Sequence, residues 1–292
     1  MSLSNEDKSK ESNKPESGNV FSMQLLMKEK CAMPDLEYFS DVMRQHIGEV
    51  DCFSYDNEHA NFAALAYQTE IGDKTVSPML MISECFESSN DDIDAFTRGQ
   101  MWDCPEHEKI LDECGYQVAA VDILGGILEA KDRAKMLMDF LDALVKLYPS
   151  CEAVYFQTSG KLISMEYIRS CQCPVEERFI NYAVNVRFFN IEGTDDMLVD
   201  TLGMSTLYLP DLQYHFHGFD PNHIVSHAYQ MLLYIFHNDC PIKNGDLIDG
   251  IQNGEISTAV QWRCCFEESL VPPERDVINI DIEYNPRSAE SR

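Results

Sequence analysis

The stretch from Asn185 to His237 constrains this chain most, because it reads in succession as strand, hairpin, strand and helix. Strands laid side by side and a helix returned across them need one shared apolar layer. Pro221 opens the helix where a first turn tolerates proline. Ile224, Val225, Ala228, Leu232 and Ile235 then recur at helical spacing, with His223, His227, Gln230 and Tyr234 as the expected polar stripe. Five of the eight histidines, at positions 215, 217, 223, 227 and 237, fall within this stretch.

The remaining segments fit around it. Val20 to Lys28, Val50 to Tyr55, Phe62 to Ile71 and Thr75 to Cys85 read as strands, and Tyr116 to Leu124 is apolar almost throughout, as in a strand covered on both faces. Leu36, Phe39, Val42, Met43 and Ile47 mark one helix, which Gly48 closes as a left-handed cap. Glu129 to Tyr148 marks the clearest amphipathic helix, stopped by Pro149. Ala153 to Ile163 reads as a hairpin turning at Ser159-Gly160, Phe179 to Phe189 as a long alternating strand, and Thr206 to His217 as a strand broken at Pro210-Asp211. Gly245 and Gly250 bracket a turn, and Ser257 to Cys265 and Val277 to Tyr284 are the last two strands. Strands outnumber helices without alternating strictly with them, which predicts an α+β fold with a mixed, mostly antiparallel sheet and helices packed on one face. The expected division is a polar tail at 1–19, an α+β lobe at 20–149, a second at 150–284 and a polar tail at 285–292.

Composition narrows the partners. Across 292 residues, 50 Asp and Glu face 22 Lys and Arg, a formal net charge of -28. Such a field repels nucleic acid and anionic lipid and attracts basic proteins. Eleven cysteines, an odd number without a CxxC pair, predict free thiols in a reducing compartment. With no apolar core segment near the amino terminus and no apolar run of membrane-spanning length, a cytoplasmic location is expected.

The sharpest chemical candidate is a metal site. Period 2 puts His215 and His217 on one strand face, and an i, i+4 spacing puts His223 and His227 on one helix face. Together they can offer imidazole nitrogens to zinc. The competing reading leaves all four on polar faces, with Leu212, Tyr214 and Phe216 turned to the core. No acidic third ligand of the HExxH kind accompanies them, so the expectation is no cofactor, with zinc as the alternative. Glu87, Asp91, Asp92 and Asp94 can meet a basic partner or simply cap the next helix, without EF-hand spacing. Asp195, Asp196 and Asp200, and Glu267 and Glu268, read as solvated. Gly125-Gly126 between a strand and a helix can hold phosphate, but Glu129 and Asp132 oppose an anion there and both phosphate-loop fingerprints are absent. No cysteine stands in a nucleophile context. Trp102 and Trp262 both read as core anchors, the latter sharing a strand face with Val260 and Cys264.

The second half resembles DUF4261, a bacterial domain family of unknown function. The resemblance rests on AVYFQTSGKLI at 153–163, Thr201-Leu202-Gly203-Met204, Leu209-Pro210-Asp211-Leu212, and Gly245-Asp246 after the long helix. The first half follows only in the order of its elements. The resemblance implies a cytosolic bacterial protein with an α+β fold and brings no catalytic residues. Where the family has small and acidic residues, this chain has His215 and His217, so a histidine role would be its own. The expected function is a non-enzymatic protein-binding module, for instance one that neutralises a basic toxin. The alternatives are a metal-dependent enzyme or hydrolase using the His215 to His227 cluster and a subunit of a larger assembly.

Overall fold

The structure, a computed structural model, describes residues 20–283; the polar tails expected at 1–19 and 285–292 lie outside the described residues. The first part of the chain runs β1 (Phe21–Met27), α1 (Leu36–Ile47), β2 (Val50–Tyr55), β3 (His59–Ala64), β4 (Thr69–Ile71), β5 (Lys74–Val76), β6 (Met79–Glu87), α2 (Ala95–Arg98), α3 (His107–Glu113), β7 (Tyr116–Ile123), α4 (Ala130–Leu147), β8 (Ala153–Phe156) and β9 (Lys161–Ser164). After these come α5 (Met165–Ser170), α6 (Arg178–Ala183), β10 (Asn185–Asn190), β11 (Met197–Leu202), β12 (Asp211–Phe216), α7 (Pro221–His237), β13 (Leu247–Gln252), β14 (Glu255–Glu268) and β15 (Asp276–Asp281). The α+β class read from the sequence is the class observed.

Seven strands form an antiparallel sheet in the order β2-β3-β6-β7-β1-β8-β9, and β4-β5 is a separate ribbon. β1 lies inside this sheet and separates its side chains by period 2. Phe21, Met23, Leu25 and Met27 enter the main core with Val154 and Phe156 of β8, whereas Leu26 joins Ala153, Tyr155 and Leu162 in a second cluster. Residues of the α2–α3 region, among them Ile93, Met101 and Leu111, complete that second cluster, so at this end of the sheet helices lie on both faces rather than one. α1 and α4 supply the main cover through Phe39, Met43, Phe140, Leu141 and Leu144. Asp35 caps α1 by accepting from the Tyr38 amide at 3.0 Å. At its other end Gly48, with φ 94° and ψ -137°, adopts a glycine conformation other than the expected left-handed one.

Six strands form the second sheet in the order β10-β11-β12-β15-β14-β13, antiparallel except for β12 against β15. α7 lies across one face, over Val186, Val199, Leu212, Tyr214 and Phe216. Three expectations change here. Phe179 to Phe189 divides into α6 and β10, Thr206 to His217 is a 3-10 turn followed by β12, and the segment bracketed by Gly245 and Gly250 is mostly strand β13. Since β8 and β9 bond into the first sheet, the sheets part after Ser164, and Pro149 lies within the first.

One apolar core runs through both sheets, with α6 touching α4 and α7. Polar groups fix the seam. The Gln100 side chain donates to the Phe188 carbonyl at 3.1 Å and accepts from its amide at 2.8 Å, while Phe96 stacks on Phe189 at 5.4 Å. Arg133 of α4 donates to Asp122 of β7 at 2.8 and 3.1 Å and to the Thr206 carbonyl. Lys161, fully buried, reaches the Val184 carbonyl at 2.9 Å and Asp103 at 3.0 Å.

Candidate functional site

The four histidines do not gather. His215 and His217 project from the outer face of β12, where Asp196 lies 3.3 Å from His215 Nε2 and 3.7 Å from His217 Nδ1, and Glu283 lies 3.5 Å from His217. His223 is exposed in the first turn of α7, against Gly254. His227 departs from the expected polar stripe, for it is 1 % exposed. Its Nε2 lies 2.9 Å from the Asp249 carbonyl, which can only accept, so Nε2 carries the proton and Nδ1 accepts from the Tyr214 hydroxyl at 3.0 Å. Burial lowers the His227 pKa against the opposing pull of Asp249 and keeps the ring neutral. Both ring nitrogens are thus committed to structure. Among the described residues no group of three or more His, Cys, Asp or Glu is placed to hold a metal ion.

The acidic stretch is mainly a helix start. Asp94 caps α2, accepting from the Thr97 amide at 2.7 Å, and this bond holds its carboxyl below the ordinary range. Asp91 and Asp92 are exposed beside it, and Glu87 is exposed at the end of β6. At Gly125-Gly126 the anion is already supplied from within. The Asp122 carboxylate accepts from the Gly125 amide at 3.0 Å, and a Cβ on Gly125 would lie 2.2 Å from it.

Trp262 is a core anchor, but Trp102 is 42 % exposed. All eleven cysteines are free thiols, and burial pushes Cys151 and Cys264 up to about 12, far from a reactive thiolate at neutral pH.

What the sequence concealed lies on the face of the second sheet opposite α7. Asp200, expected in solvent, is fully buried. It accepts from Arg187 at 2.8 and 2.5 Å and from Arg275 at 2.7 Å. Arg275 also reaches Asp211 at 3.3 Å, and Asp211 accepts from the Thr201 hydroxyl at 3.0 Å. Burial raises the Asp211 pKa to about 6, more than the neighbouring Arg275 lowers it. Arg187 donates to the Pro272 carbonyl, Arg275 to that of Pro273, and Gln213 accepts from the Leu270 amide, so the network pins the β14–β15 loop over this face. Period 2 along β10, β11 and β12 is the signal that places Arg187, Asp200 and Asp211 on one face.

The other feature is open. β13 is an edge strand, and between it and α7 runs a cleft of about 510 Å³ floored by Met231, Ile242 and Ile248. Tyr234, Leu247 and Ile256 line it while remaining 46 %, 46 % and 41 % exposed. Asp246 and Asp249 also line it, and neither forms an ion pair among the described residues. Trp262 supports the strand from beneath. It packs so closely on Gly250 that a Cβ there would meet the indole at 2.7 Å.

These elements define an α+β protein in which one sheet, crossed by a long helix, carries both a closed charge network and an open apolar cleft. Residues 200–281 match the model of a domain of unknown function (DUF4261), so the resemblance read from the sequence holds over this segment. The matched segment runs from β11 to β15 and contains Asp200, Asp211, Arg275 and the whole cleft lining. No curated protein and no solved structure matches the chain.

Proposed function

We propose that this protein is a non-enzymatic binding module of the bacterial cytoplasm whose acidic surface docks on a basic protein. The observation carrying this reading is where the charges lie. Residues 1–19 hold one more carboxylate than cation and residues 284–292 one more cation than carboxylate, so the two ends cancel and the net charge of -28 belongs to residues 20–283. Burial removes Arg133, Lys161 and Arg187 on one side and Asp122, Asp200 and Asp211 on the other, an even exchange. The entire surplus therefore faces outward, where it speeds encounter with a cationic partner and disfavours anionic ones. A protein that masks a nuclease's cationic groove is one concrete form of this reading.

Free thiols and the family resemblance support the location. No helix among the described residues is long and apolar enough to cross a membrane. The test is capture from a lysate of the source cell at low and high salt. A basic protein retained at low salt and released at high salt is expected. Recovery of no basic protein, or retention indifferent to salt, contradicts the proposal.

A further inference from the structure

We infer that the cleft between α7 and β13 takes an extended segment of the partner in which apolar side chains alternate with lysine or arginine, an inference that rests on the docking reading above. Three observations select this occupant. The cleft runs beside a sheet edge that no other strand among the described residues covers, the geometry in which proteins receive an extended chain. Its floor of Met231, Ile242 and Ile248 is apolar, and Tyr234, Leu247 and Ile256 leave a large part of their surface in water, which is the surface an apolar side chain would cover.

The rim is acidic. Asp246 accepts the Lys243 amide at 2.8 Å and Asp249 accepts the Gln261 side chain at 2.7 Å, bonds that fix both carboxylates in place without neutralising either. Glu255 is exposed at the start of β14, beside Ile256. Period 2 in an extended ligand sends alternate side chains to opposite sides, one set into the apolar floor and the other toward these carboxylates. His227 strengthens the frame by holding the Asp249 carbonyl at 2.9 Å, which ties the edge strand to the helix. In the acidic stretch at Glu87 to Asp94, Asp94 lines another cleft beside Phe96, but that carboxylate is engaged in capping α2.

The test uses the full chain and two fluorescein-labelled hexapeptides of equal charge, one alternating lysine with leucine and the other lysine with glycine, followed by anisotropy. The lysine–leucine peptide is expected to bind at least about tenfold tighter. Leu247→Ser together with Ile256→Ser should remove that difference, whereas Asp91→Asn with Asp92→Asn should leave it. The serine positions are exposed, and an unchanged melting temperature verifies that the fold is kept. Equal binding of the two peptides, or an undiminished difference in the serine variant, overturns the assignment. If the cleft fails while a basic protein is still captured in a salt-sensitive way, the docking reading stands without it. If no basic protein is captured, the docking reading falls, and the peptide comparison still decides the cleft.

Discussion

The two sheets solve the problem of burial differently. The first is apolar at its centre and closes itself with α1 and α4, and its buried charges, Asp122 with Arg133 and Lys161 paired to the half-buried Asp103, sit at its boundary with the second. The second sheet is apolar mainly under α7. Its opposite face buries Arg187, Asp200 and Asp211 beneath a loop held by hydrogen bonds to those same side chains. A face closed by ion pairs depends on each partner, whereas a face closed by packing fails by degrees. On the docking reading proposed above, the first sheet is scaffold and the second presents the surface that binds.

Substitutions can break this comparison, the most damaging first. Asp200→Ala would leave two guanidinium groups facing each other without their shared carboxylate, and a loss of about 3–5 kcal/mol in urea unfolding is expected. A loss below about 1 kcal/mol would show that the network does not close this face. On the packed face, Trp262→Ala should cost about 3–5 kcal/mol, while Trp102→Ala on the surface should change stability by no more than about 0.5 kcal/mol. Similar losses at the two tryptophans would contradict the assignment of only one to the core.

The pH dependence sharpens the contrast further. Burial holds the Asp211 carboxyl at about 6, above its unfolded value near 4, so the folded protein binds that proton more tightly than the unfolded chain. Its contribution to stability is greatest in acid and is lost as pH rises through about 6. His227 works in the opposite sense, since its lowered pKa gives stability that is present above about 6.5 and lost as pH falls. Comparing the wild type with Asp211→Asn cancels His227. Between pH 4 and 7 the wild type should lose up to about 3 kcal/mol relative to the variant. A constant difference over that range would mean that Asp211 does not titrate there. Smaller still is Gly250→Ala, expected to cost about 1–3 kcal/mol by forcing Trp262 aside, and an unchanged melting temperature would show slack beneath the edge strand.

Much of the fold was legible wherever a short period had one cause. Alternation put Leu212, Tyr214 and Phe216 inward and His215 and His217 outward, and it turned the hairpin at Ser159-Gly160, as observed. Phe179 to Phe189 misled because the apolar residues that alternate from Val184 onward are preceded by Phe179, Ile180, Tyr182 and Ala183, which suit a buried helix turn as well as a strand, and the chain uses the segment for both. His227 misled because α7 is covered on two sides, by the sheet beneath and by β13 alongside, so the one-sided stripe drawn from the sequence was too narrow. Asp200 and Asp211 read as solvated or turn residues because the cation they share, Arg275, lies more than 60 positions away. A cleft between a helix and an edge strand has no local signature, since Tyr234, Leu247 and Ile256 come from three elements.

Hydrogen exchange of the protein with and without its captured partner tests the central claim most directly. The account predicts slower exchange on binding in α7 and β13, residues 221–252, with the first sheet unchanged. Protection concentrated instead on β2, β3 and α1, with none beside the cleft, would contradict the assignment of binding to the second sheet.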